Sequence, residues 1–142
     1  MVNISEIWII TESGLPLFNK SVDQKMDMFV LGGFLSAIQT FIKSSFQEEK
    51  LDRLVMGESK LTFLYAKGTN IFIVVRTHKK EKDKEIRKKL ELIKDLFIAR
   101  YGERLKNFNC DVSDFQHFNL VLEENLKKEL VVKRMQNWLS EV

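Results

Sequence analysis

Apolar residues recur at helical spacing through one long proline-free stretch, Lys25 to Phe46 (KMDMFVLGGFLSAIQTFIKSSF). At 3.6 residues per turn it is long enough for about six turns. Met26, Phe29, Val30, Gly33, Ala37 and Phe41 fall on one stripe, and Phe34, Ile38 and Ile42 widen it. That periodicity predicts a helix whose broad apolar face, Phe34 included, is buried. Gly32 and Gly33 lie inside it, where each glycine costs about 1 kcal/mol relative to alanine. The gain that offsets such a cost is close approach, so the helix is expected to lie near another backbone at this point.

The flanking text has the shorter period of strands. Ile4 to Thr11 (ISEIWIIT) is rich in β-branched and aromatic residues, and Glu12-Ser13-Gly14 is turn chemistry. Leu15 to Lys20 (LPLFNK) then returns as a hairpin partner. Pro16 cannot donate to a ladder, which places this strand at a sheet edge. Beyond the helix come Leu51 to Met56, a Gly57-Glu58-Ser59 turn, Lys60 to Lys67, a Gly68-Thr69-Asn70 turn, and Ile71 to Val75. Together they read as a meander. The last of these, IFIVV, is apolar at every position, the pattern of a strand covered on both faces.

Two helices follow. The first runs from Asp83 to about Asn107 with Ile86, Leu90, Ile93, Phe97 and Tyr101 as its apolar stripe, flanked by Leu96 and Leu105. Ser113 with Gln116 three residues on has the spacing of a capping box for the second, about 114–140. Phe115, Phe118, Leu122, Leu126 and Leu130 carry its stripe toward Trp138 and Leu139. The predicted order is β-β-α-β-β-β-α-α. It folds as an α+β sandwich: a five-stranded antiparallel sheet with one helix on one face and two on the other.

Composition narrows the class without naming a chemistry. The chain has 142 residues, 44% hydrophobic and 30% charged, which predicts a single domain over 1–142 with its core at about 4–118. A net charge of +3 does not by itself imply a nucleic-acid partner. The single cysteine, Cys110, excludes an internal disulfide framework and fits a reducing, cytoplasmic setting. No apolar run approaches the roughly 18 residues of a membrane span. Glu6 interrupts the N-terminal apolar stretch, so no signal peptide is expected.

The element order and three passages of text, IWIITESGLPLF, GGFLSAIQTF, and GESKLTFLY with IFIVVRT, resemble the longin family. Longins are profilin-like sandwiches close to roadblock domains. The likeness covers about Ile4 to Phe118, and the phrasing is similar to archaeal longin proteins related to eukaryotic trafficking machinery. The resemblance implies a non-enzymatic interaction platform that dimerises with itself or with another longin or roadblock domain and binds a Ras-like small GTPase. The alternative class is a small-molecule sensor, since related sandwiches can hold a ligand pocket. A pocket needs convergent polar groups in an apolar cavity, and the apolar strand faces offer few.

Candidate chemistry is thin. Cys110 and His117 have nothing to orient them as a nucleophile pair. His78 and His117 make no zinc pattern, and Gly57-Glu58-Ser59-Lys60 lacks the spacing of a phosphate loop. Glu48-Glu49 and Glu123-Glu124 are adjacent pairs that point to different sides of a helix. No catalytic residue, metal site or cofactor is expected. Lys79 to Lys89 holds seven basic and three acidic residues and reads as a solvated helix start, with peripheral contact to an anionic membrane as the alternative. The expected interface is the second sheet edge, Leu51, Arg53, Leu54, Val55 and Met56, with the flanking helix. It carries no proline, and only Asp52 and Arg53 interrupt its apolar residues.

Overall fold

The computed structural model describes residues 3–21, 28–46, 52–106, 115 and 117–125. The first hairpin is β1 (Ile4–Thr11) and β2 (Pro16–Ser21). Helix α1 (Met28–Phe46) leads to β3 (Arg53–Met56), β4 (Ser59–Tyr65) and β5 (Ile71–His78), then to α2 (Asp83–Lys106). Residues 118–125 are helical again. The sheet order is β2-β1-β5-β4-β3, and every neighbouring pair is antiparallel. The fully apolar β5 therefore lies at the centre, and the proline-bearing β2 and the short β3 are the two edges.

Side-chain alternation divides the core into two layers. On one face Ile7, Ile9, Ile73 and Val75 meet Ile86, Leu90, Ile93, Phe97 and Tyr101 of α2, joined by Phe115, Phe118 and Leu122. The stripe read from the sequence of α2 is thus the buried one. Phe97 anchors this layer, with ring centroids 5.6 Å from Phe115 and 5.1 Å from Phe118. Phe118 in turn meets Phe18 of β2 edge to face at 5.1 Å. Such aromatic pairs contribute about 0.5–1.5 kcal/mol beyond their burial. The last helix was expected over about 114–140; its residues 126–142, with Leu126, Leu130, Trp138 and Leu139, lie outside the described residues.

On the other face Trp8, Ile10, Leu61, Phe63, Phe72 and Val74 are covered by Leu31 and Leu35 of α1. The stripe expected to be buried on this helix is not the one that touches the sheet. Val30 (68% exposed), Phe34 (53%) and Phe41 (58%) point outward, and Gly33 and Ala37 lie exposed on the same side. Ile38 and Ile42 are half-buried. Met26 lies outside the described residues.

The physical reason is the seating of one glycine. A Cβ on Gly32 would stand 2.4 Å from the carbonyl oxygen of Gly14 in the β1–β2 turn, so helix and turn backbones are in direct contact there. Gly14 itself has φ of +96°, and its amide donates to the Thr11 carbonyl at 2.9 Å. Ser36, one turn beyond Gly32, donates from its hydroxyl to the Glu12 carbonyl at 3.0 Å. Gly32 facing the sheet forces Leu31 and Leu35 inward and turns Val30 and Phe34 out. Gly33 meets nothing within 4 Å of a built Cβ.

These contacts separate substitutions that look alike in sequence. Gly33→Ala is expected to stabilise the domain by up to about 1 kcal/mol through helix propensity. Gly32→Ala, which must displace backbone, is expected to destabilise by roughly 1–3 kcal/mol. Phe34→Asp should keep a cooperative thermal melt, whereas Leu35→Asp, a charge at a position with no exposed surface, should abolish it. Equal melting behaviour of the two aspartate variants would overturn the helix orientation.

Candidate interaction surface

Strand β3 is formed by four residues and, among the described residues, pairs with β4 alone, Arg53 opposite Thr62, Leu54 opposite Leu61, Val55 opposite Lys60 and Met56 opposite Ser59. Its hairpin turns at Gly57, whose φ is +57°. Val55 is 63% exposed and Met56 43% exposed, and Leu54 packs partly into the α1-side cluster. Leu51 lies outside the described residues. The structure therefore brings Arg53, Leu54, Val55 and Met56 together on one sheet edge.

A set of charges unforeseen in the sequence holds that edge to α2. The Lys60 side chain, only 8% exposed, donates to Asp83 Oδ1 at 2.7 Å and to the Glu81 carbonyl at 2.7 Å. Arg53 donates from Nη1 to the other oxygen of Asp83. Asp52 accepts from Arg87 Nη2 at 3.2 Å, and its carbonyl accepts from the Phe63 amide at 3.0 Å. Asp83 begins α2, where the helix dipole favours a carboxylate. The hydrogen bond from Lys60 holds the Asp83 carboxyl below its ordinary value of 3.8, with the positive charges of Lys60 and Arg53 acting in the same direction. The available signal was the position of Lys60: it alternates with Thr62 and Leu64 on a strand face covered by α2.

The basic run is partly consumed by such pairs. Lys79 reaches Glu58 at 3.1 Å, Arg87 reaches Asp52, and Lys88 lies 3.9 Å from Glu85. Lys89 is buried. Cys110 lies outside the described residues and His117 is exposed. Glu123 pairs with Lys20 of β2 at 3.1 Å. Among the described residues no group of three His, Cys, Asp or Glu side chains could hold a metal ion, and no helix is long and apolar enough to cross a membrane.

The sheet β2-β1-β5-β4-β3 thus carries α1 on one face and α2 with the residue 118–125 helix on the other. Residues 5–130 match the family described as the first longin domain of FUZ, MON1 and HPS1, and the chain belongs to that family. Among solved structures it is similar to Myxococcus xanthus MglB, at 13% identity and a TM-score of 0.53, over 66% of this chain and 79% of that one. It is also similar to the roadblock/LC7 domain from Streptomyces avermitilis, at 10% identity and a TM-score of 0.53, over 69% and 84%. A structure titled MglB with tetrameric arrangement aligns at 15% identity and a TM-score of 0.56, over 73% and 81%. No curated protein matches the sequence significantly.

Asp83→Asn should destabilise the domain by about 1 kcal/mol or less at neutral pH, because Lys60 loses its charged acceptor but keeps the Glu81 carbonyl and Asp83 is half exposed. The sign with pH follows from the depressed carboxyl. Its stabilising contribution is present above the value Asp83 takes when unfolded and is lost as pH falls through the lower folded value. Denaturant titrations of both proteins should therefore begin to converge as pH falls below about 4 and meet below the folded value. A gap that persists undiminished into strong acid would separate Asp83 from the effect.

Proposed function

We propose that this longin domain is a non-enzymatic interaction platform that associates with a second copy or a related longin or roadblock domain and binds a Ras-like small GTPase. The observation that carries this reading is an edge strand, β3, beyond which no described strand pairs, and an outward apolar stripe on α1 supports it. β3 carries no proline, and its one basic residue is already engaged by Asp83. On α1, Val30, Phe34 and Phe41 form an exposed stripe at helical spacing. Aligned apolar side chains of this kind mark an association surface on a protein of this size. An open strand edge supplies backbone donors and acceptors for a partner.

Membership of the longin family supports the GTPase part of this reading. The self-association follows from the edge and is consistent with the tetrameric arrangement named for one MglB structure. Val55 is the position at which to break it. A proline there removes one N–H and places a ring in the path of an incoming strand. Wild type is expected to run as a dimer in light scattering at high concentration. Val55→Pro should run as a monomer with an unchanged circular dichroism spectrum. A folded Val55→Pro that still dimerises moves the interface elsewhere. Affinity capture from the native host should yield a Ras-like GTPase or a longin or roadblock protein, identified by mass spectrometry; absence of both counts against the platform reading.

A further inference from the structure

The net charge of the chain resides at one junction. Of its 23 basic and 20 acidic residues, six basic and three acidic fall within residues 79–88, which leaves 17 of each sign in the rest. The whole surplus of +3 therefore sits where β5 ends and α2 begins. The amide of Lys79 donates to the Glu58 carbonyl at 2.9 Å, which lays this segment against the β3–β4 turn.

Internal pairing divides the cations of this end by type. Both arginines are engaged, Arg53 by Asp83 and Arg87 by Asp52. Lys60 and Lys79 take Asp83 and Glu58. Lys80, Lys82 and Lys84 are exposed, and among the described residues none has a carboxylate within ion-pair distance. Lys88 lies one turn beyond Lys84, on the side of α2 away from the buried Ile86 and Leu90, and stands 3.9 Å from Glu85. The free charge at the junction is thus carried by lysine alone.

That division indicates the kind of partner. A guanidinium is a planar fork that matches one carboxylate in fixed geometry, whereas an ammonium is a hydrated point charge on a flexible stem. Three unpaired lysines within five residues suit a diffuse negative field rather than a single fixed acceptor. The surface of a bilayer rich in anionic lipids is such a field, and each lysine close to it raises partitioning roughly fivefold. Val55 and Met56, exposed apolar residues at the end of β3, precede the turn that the junction lies against. They put apolar side chains at the same end of the sheet, the combination found where proteins rest on lipid headgroups.

We infer that the β5–α2 junction is a membrane-contact surface, on which Lys80, Lys82 and Lys84 hold the domain against anionic lipid. The inference goes beyond the association and the GTPase proposed above, and its test requires neither.

The test is co-sedimentation of the full chain with vesicles of phosphatidylcholine containing about 30% phosphatidylserine. Wild type should sediment with these vesicles and not with phosphatidylcholine alone. Raising the salt from about 0.1 M to about 0.5 M should release it, because screening shortens the reach of the lysines. The triple variant Lys80→Gln/Lys82→Gln/Lys84→Gln should lose at least tenfold in partitioning with an unchanged circular dichroism spectrum. Lys67→Gln/Arg100→Gln, which removes two exposed cations away from the junction, should lose less than twofold. The salt measurement uses wild type alone and stands even where a variant folds poorly. Equal sedimentation with neutral vesicles, no sedimentation of wild type, or an equal loss in the Lys67/Arg100 variant overturns the inference. Wild type that binds soluble polyglutamate and not the vesicles assigns the lysines to an acidic protein partner and overturns the membrane reading.

Discussion

Gly32 against Gly14 is the contact on which the arrangement of this molecule turns. It sets the rotation of α1 about its own axis, because Gly32, and not the adjacent Gly33, meets the hairpin turn. Once Gly32 faces the sheet, Leu31 and Leu35 fill the layer above Trp8, Ile10, Phe63 and Phe72. Val30, Phe34 and Phe41 are then left on the opposite side. An apolar outward surface on a domain with an ordinary composition is thus a geometric consequence of one backbone contact. It is also what makes an interaction role the natural reading of the fold.

The second constraint acts at the far edge. β3 pairs with β4 over four residues, and its ties to α2 run through charge. Lys60 needs a carboxylate because it is buried, and Asp83 supplies it from the first turn of α2 while also engaging Arg53. The pairing stabilises little through Coulomb attraction where Asp83 is half exposed. Its larger effect is positional. An edge strand pinned in the sheet plane presents its free backbone groups in a fixed register, and ordering that is completed before association is not paid again on binding.

Much of the architecture was legible in the sequence. The strands ISEIWIIT and IFIVV, the proline that sends β2 to an edge, and the stripe Ile86 to Tyr101 all depend on local periodicity, and each stands as read. The edge position of β3 followed from chain order, since a meander ending in a doubly buried strand must begin at its rim. What local pattern could not supply was the choice between competing apolar faces. α1 carries apolar residues on more than one side, so its period identified a helix without identifying the side that meets the sheet.

The sequence by itself therefore determined the described strands and helices and their order, because these depend on periodicity between residues a few positions apart, and the edge position of β3, which follows from chain order. Tertiary structure alone decided that Gly32 rather than Gly33 is the contact, that Phe34 points to solvent, and that Lys60 and Asp83 meet across elements. Each of those depends on where two distant segments touch, and a short-range period carries no information about distance through the fold.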